Sequence, residues 1–251
     1  MSPRPAGRSN RHPVTLAIDI GGSGVKWMLL DSRGRALNRR KRVKTPRPAT
    51  PWRVLEGIEQ VIKRRQDYDR IAVGFPGYVD QGIVRTAYNL HANWAGFDLE
   101  HELRLIANRP VRVINDAEVQ GLGHIAGHGT EIMITFGTGV GSAIFVDGKI
   151  VPGLEIGHHL SGSGKSYDAL MNKRALKTAG KKKWRKRVRR MVDELEPVWN
   201  YRMLYLGGGN GNLLDPEEFP DNVVIVPNEG GLWGGYVLWE RPEALEWPRA
   251  S

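Results

Sequence analysis

Three kinds of residue in this 251-residue chain have the chemistry for group transfer: a carboxylate at a strand end, glycine turns, and polar side chains suited to hydroxyls. "INDAE" sets Asn115 and Asp116 at the end of the apolar run "VRVIN", where open α/β sheets bind ligands. A carboxylate there can accept the proton of an attacking hydroxyl while Asn115 orients it. The plainer use of Asn-Asp is a turn or a helix cap. In "DIGGSGVK", the residues Gly21, Gly22, Ser23 and Gly24 let backbone N–H groups approach an anion closely. Lys26 can contact phosphate, and Asp19 can hold Mg²⁺ through water. Alone this is also what an ordinary β-turn looks like. A second copy, "TFGTGVGS", carries Thr135, Gly137, Thr138 and Gly139, and two such turns facing one cleft make a two-sided phosphate clamp.

A third cluster, Gly207, Gly208 and Gly209 in "YLGGGNGN", follows the strand-like "RMLYL". Its spacing matches neither G-x-G-x-x-G nor a P-loop, so the dinucleotide and Walker readings fail. "HLSGSGKS" ends like a Walker motif but has His159 where the first glycine belongs. Glu155 and His158 in "LEIGHH" suit vicinal hydroxyls, or form a solvated surface pair. "YNLHANW" supplies Asn89, His91 and Trp94: an amide for hydroxyls and an indole for a sugar face, or a core aromatic beside a polar turn.

The elements that must position these residues alternate strand with helix, the pattern of an α/β fold. "VTLAIDIGGSGVKWMLLD" reads as strand, glycine turn, strand, and "EIMITFGTGVGSAIFVDGKIV" repeats that hairpin at the same relative place in the second half. Helices are expected over "TPWRVLEGIEQVIKRRQ", with Thr50 as cap and Pro51 at the first position, over "FDLEHELRLIA" and over "DAEVQGLGHIAG". "GIVRTAYNL" reads as extended. The expected organisation is a basic tail over 1–13, a domain over 14–116 and a second over 117–251, sharing a cleft. With no cysteine, disulfides, thiolate zinc sites and cysteine nucleophiles are excluded. No apolar run approaches the ~18 residues of a membrane span, and the first residues lack a signal peptide's apolar stretch, so a cytoplasmic protein is expected.

In order along residues 14–236, "AIDIGGSGVK", "GFPGYVDQGIVRTAYNL", "INDAE", "TFGTGVGSAI", "LEIGHH" and "LYLGGG" resemble the ROK family of sugar kinases. "GGSGVK" and "GIVRTAYNL" are most similar to the polyphosphate glucokinases (polyphosphate/ATP-glucomannokinases) within it. The resemblance implies an actin-like, ribonuclease H-like two-domain α/β fold with a central cleft. It implies phosphorylation of glucose, with mannose as a further sugar, at the 6-hydroxyl, from inorganic polyphosphate or from ATP. Asp116 would be the base; Asn89, Asn115, Glu155 and His158 would bind sugar hydroxyls; the glycine turns would hold donor phosphates with Mg²⁺ assisting. It also implies a homodimer. Two features depart from the family: its cysteine-rich zinc motif is missing, so no zinc is expected, and its second sugar-binding Glu has only Asp168, in "SYDALMN", as a weak counterpart.

The formal charge of +10 is unevenly spread. Residues 1–47 carry +10 and residues 173–190 carry +11, leaving −11 on the remainder, which argues for a located polyanion partner. Within "GKKKWRKRVRR", Trp184 and Val188 fall on one helical stripe with Met191, Val192 and Leu195. Lys182, Lys183, Arg185, Lys186, Arg187, Arg189 and Arg190 cover the rest of the circumference, a face suited to a long phosphate chain or simply to solvent. An ATP-only hexose kinase is the alternative within the enzyme class. Nucleic-acid binding on a kinase-like scaffold is the rival outside it, weakened because only Trp184 lies within the run as a stacking aromatic.

Overall fold

The computed structural model describes residues 13–65, 67–227 and 230–246, so all but the last residue of the expected basic tail lies outside the described residues. Strands β1 (Thr15–Gly21) and β2 (Gly24–Leu30) form the first hairpin, with Gly21 opposite Gly24. Both are mostly apolar and largely buried on two faces, as strands of a covered sheet are, with Asp19 and Lys26 half-buried near the turn. Then come β3 (Lys41–Val43), α1 (Pro51–Arg64), β4 (Arg70–Phe75), the short ribbon β5 (Val79–Asp80) and β6 (Ile83–Val84), α2 (Leu99–Ala107), β7 (Val111–Asn115) and α3 (Asp116–Leu122). The second half holds β8 (Thr130–Phe136), β9 (Val140–Val146), β10 (Lys149–Val151), α4 (Tyr167–Met171), α5 (Lys173–Ala179), α6 (Lys181–Trp199), β11 (Met203–Gly207), β12 (Val223–Ile225) and α7 (Gly230–Glu240).

The repeat read in the sequence is a repeat of topology. One sheet runs β3-β2-β1-β4-β7 and the other β10-β9-β8-β11-β12. In each, the hairpin is antiparallel and the two strands beyond it pair in parallel. One core lies under the first sheet around Ile58, Phe75 and Trp94, and another under the second around Phe136, Trp184 and Met191. A third fills the joint, where α3 meets Met133 and Phe145 of the second sheet and Leu238 of α7. A boundary at Asp116 leaves one sheet on each side, yet α7 packs back onto β1 and β4. The pair Gly234 and Gly235 permits this: a Cβ at Gly234 would strike the Val119 carbonyl, and one at Gly235 would meet Ala17 and Ala72 at 3.1 Å.

Several expected elements change length for identifiable reasons. Thr50 occupies the cap position of α1, but its hydroxyl makes no capping bond, leaving Pro51 as the start signal. "GIVRTAYNL" is strand only over Ile83–Val84; its remainder turns along the cleft rim. The helix after Asn115 stops at Leu122, shorter than expected, and the backbone N–H groups of Ala126, Gly127 and His128 donate instead to the buried Glu131 carboxylate. α6 buries Trp184, Val188, Met191, Val192 and Leu195, the stripe its spacing predicts.

Candidate active site

The β1–β2 turn is braced from behind. Thr45 Oγ1 donates to the Gly21 carbonyl at 2.6 Å, an Arg47 guanidinium nitrogen to Gly22 O at 3.2 Å, and Arg42 to Ser23 O at 2.7 Å. With three successive carbonyls held by the segment after β2, the turn's N–H groups are what remains for an anion. Opposite each other in the hairpin, Lys26 and Asp19 form an ion pair at 2.7 Å.

The β8–β9 turn is built differently. Three residues, Gly137 to Gly139, separate its strands, and Gly137 N–H donates to Gly139 O at 2.8 Å. Asp168 Oδ1 accepts from Val140 N–H at 2.9 Å, and Lys173 N–H, at the start of α5, donates to Gly137 O. Beneath the turn, Trp184 packs edge-on against Phe136 at 5.3 Å. The two turns face each other. A Cβ on Gly22 would lie 3.2 Å from Asn89 O and 3.8 Å from Thr138 Cγ2, and one on Gly139 would lie 3.0 Å from Asn89 Nδ2. Asn89 therefore sits between both turns, where a larger residue at either glycine would crowd it.

Below them lies a cleft of about 530 Å³. It brings together Asp19, Lys26, Asn89, Asn115, Asp116, Glu155, His158, Asp168 and all three glycine clusters except Gly207. Asp116 opens α3, and burial, then the negative charges of Asp19 and Glu155, push its carboxyl up to about 8; Ala117 N–H and Lys26 oppose the rise. Burial likewise lifts Glu155 to about 7 and Glu118 to about 7. A carboxylate of raised pKa at a cleft floor is suited to general-base work near neutral pH.

Some expected residues serve the scaffold. Asn115 is the cap of α3: its Oδ1 accepts from Ala117 and Glu118 N–H, Glu118 returns a bond to Asn115 N–H, and its Nδ2 donates to Gly77 O at 3.1 Å. That leaves one amide hydrogen for a substrate. Asp168 reaches the cleft but holds Val140 N–H and accepts from Asn172 at 3.3 Å. Trp94 is fully buried, donating to Ala49 O and packing on Phe75 and Phe97, so it is a core residue rather than a sugar platform. His91 accepts from Asn93 N–H in the turn before it. The aromatic at the rim is instead Tyr88, whose ring lies 4.1 Å from that of His158. "HLSGSGKS" folds into a closed turn, Ser161 N–H to Lys165 O, outside the cleft lining.

The cationic face of α6 does not line the cleft either. Arg185 pairs with Glu218 at 2.8 Å, Arg190 with Glu194 at 2.9 Å, and Arg187 donates to Leu170 O. Lys182, Lys183 and Lys186 make no hydrogen bond or ion pair with another described residue. The cations lining the cleft besides Lys26 are Arg40 and Lys173. Both lie in the two basic blocks, but charge counting could not single them out.

The ROK family sequence profile matches residues 15–172. A polyphosphate glucokinase of Mycobacterium tuberculosis is 33% identical over 83% of this chain and 81% of its own. The crystal structure of an inorganic polyphosphate/ATP-glucomannokinase from Arthrobacter sp. strain KM superposes with a TM-score of 0.81, at 30% identity, over 92% of this chain and all of that one. A ROK glucokinase from Streptomyces griseus, in complex with glucose and AMPPNP, shares the fold at a TM-score of 0.72 and 20% identity, over 90% and 98% of the two chains.

Proposed function

The chain belongs to the ROK family of sugar kinases, and from that premise we propose that it moves a phosphoryl group from inorganic polyphosphate, or from ATP, to the 6-hydroxyl of glucose, with mannose as a second sugar. The observation that carries this reading is the pair of glycine turns meeting across one cleft, with a carboxylate of raised pKa at its floor. The sugar lies between Asp116 and the rim formed by Asn89, Glu155 and His158. Asp116, as carboxylate, accepts the hydroxyl proton as the oxygen bonds to the terminal phosphorus. The bond from that phosphorus to the next bridging oxygen breaks, and the shortened donor leaves.

Catalysis is then mainly positioning and charge stabilisation. The N–H groups of both turns and Lys26 meet the equatorial oxygens, and Arg40 and Lys173 the phosphates beyond. Mg²⁺, when bound, neutralises charge building on the bridging oxygens. Asp19 fits such an ion, since its carboxylate lines the cleft; no three His, Asp or Glu converge among the described residues, so donor oxygens and water would supply the other ligands. A long donor leaves past Lys173 along α5 toward Lys182, Lys183 and Lys186 of α6. Family kinship supports a homodimer in the cytoplasm; no helix among the described residues is long and apolar enough to cross a membrane.

The test is direct: incubate the protein with glucose, Mg²⁺ and either polyphosphate or ATP, and measure glucose 6-phosphate. Product is expected with polyphosphate. No product from any donor overturns the reading.

A further inference from the structure

The cleft floor holds a polar group that the reaction described above does not use. Gln120 lies four residues after Asp116, one turn along the same face of α3, and lines the same cleft. Gln120 is 5% exposed, and its Nε2 is buried with no hydrogen-bond partner among the described residues. Leaving a buried donor unpaired is costly, and such groups persist where a ligand or a bound molecule completes them. The surroundings leave room for it. A Cβ at Gly207 would lie 2.6 Å from Nε2, and one at Gly231 would lie 3.9 Å from Oε1. At Gly209, next in the third glycine cluster, a Cβ would meet no described residue beyond its chain neighbours within 4 Å. Gly231 and Leu232, in the first turn of the eleven-residue α7, also line this part of the cleft. The first N–H groups of a helix lack partners within it and favour negative charge.

We propose that Gln120 binds the phosphoryl donor: its amide donates to an oxygen of a phosphate on the leaving side of the transferred group, in a subsite completed by Gly208, Gly209 and the N-terminal turn of α7. This rests on the kinase reading and explains the third glycine cluster, because glycine at 207 leaves space for the amide and glycine at 209 keeps the floor open. A neutral amide also suits the place. A lysine or arginine one turn from Asp116 would favour the ionised carboxylate and weaken it as a base, whereas an amide binds the anion without that effect.

Two isosteric variants of the full chain test this. Gln120→Met removes the donor and the unpaired polar group together; Gln120→Glu replaces donor hydrogens with a carboxylate facing phosphate. For Gln120→Met, the KM for polyphosphate is expected to rise about tenfold, the effect of losing a hydrogen bond to a charged group. The KM for glucose stays unchanged, and the ligand-free thermal midpoint stays level or rises. Gln120→Glu raises the polyphosphate KM further. A second readout needs no turnover: the upward shift of the thermal midpoint on adding polyphosphate without sugar, expected to shrink in both variants. A polyphosphate KM within twofold of the parent, or an undiminished shift, overturns the assignment. So does a lower ligand-free midpoint with both KM values moving together, which would mark Gln120 as structural. A parent protein that polyphosphate stabilises but that makes no sugar phosphate would fail the kinase reading and leave the subsite standing.

Discussion

The two hairpin turns occupy equivalent places in sheets of identical strand order, yet they are equipped differently. The first has two residues between its strands, three carbonyls pinned from behind, and the Asp19–Lys26 ion pair across it. The second has three, closes on itself through Gly137 and Gly139, and carries hydroxyls and amides in place of charges. The ion pair thus sits at the turn of the half that ends in Asp116, whereas the second turn offers backbone dipoles and its half brings Glu155, Asp168 and Lys173 to the cleft from outside the turn. The same frame serves both, so topology alone does not say which half does the chemistry; the side chains at strand ends do. This division also explains how Asp116 is tuned. It stands at the joint, where burial raises its pKa most, the negative charges of Asp19 in one half and Glu155 in the other add to the rise, and Lys26 opposes it.

The largest expected effect comes from removing the charge at that joint. Asp116→Asn should lower turnover by about 10²- to 10⁴-fold, the range for losing a general base, with the glucose affinity largely retained. For the parent, kcat/KM should climb as pH rises toward and past about 8, as Asp116 ionises. Stability should move the other way. A carboxyl whose pKa is raised by folding contributes stability below about pH 4 that is lost as pH rises through about 8. Asp116→Asn escapes that loss, so its thermal midpoint should exceed the parent's by a margin growing from pH 5 to pH 9. Near-normal turnover in the variant would move the base elsewhere.

Next is the contrast between the cations of the two halves. Lys26→Met removes a charge that favours ionised Asp116 and leaves Asp19 unpaired, so it should cost about tenfold in kcat/KM for any donor. The acid limb of its pH profile should also move upward. Lys173→Met, at the edge of the uncharged turn, should raise the donor KM about threefold and leave the pH profile in place, since the charges that shift Asp116 are those of Asp19, Glu155 and Lys26. If both variants shift the profile alike, the division of labour between the turns is wrong.

Much of the molecule is legible in its sequence, and the residues that are not share a cause. The hairpins, their repetition and the α6 stripe follow from short-range periodicity, which sequence records directly. Asp116, Glu155 and His158 stand out because their motifs keep order along the chain, and the cleft gathers them. Residues whose use depends on distant partners escape such reading or mislead it. Trp94 belongs to the core because Ala49, forty-five residues away, accepts its N–H. Tyr88, Arg40 and Lys173 reach the cleft through the packing of one half on the other. Arg42, Thr45 and Arg47, which read as part of a basic block, hold the first turn's carbonyls across a sheet edge that no local pattern announces.

The smallest expected effect lies on α6, where sequence alone most overstates the case. A cationic circumference suggests a continuous track, but Arg185, Arg189 and Arg190 face Glu218 and Glu194, and Arg187 holds a backbone carbonyl. Lys182, Lys183 and Lys186 are exposed, and exposed charges contribute little singly. Changing those three together to Gln should therefore weaken long-chain polyphosphate only about three- to tenfold, leave ATP nearly unchanged, and flatten the salt dependence for the long donor. Chain length sharpens the test: a donor too short to leave the cleft past Lys173 should not register the change. Equal losses with ATP and polyphosphate would assign these lysines to solvation and confine the donor site to the two turns.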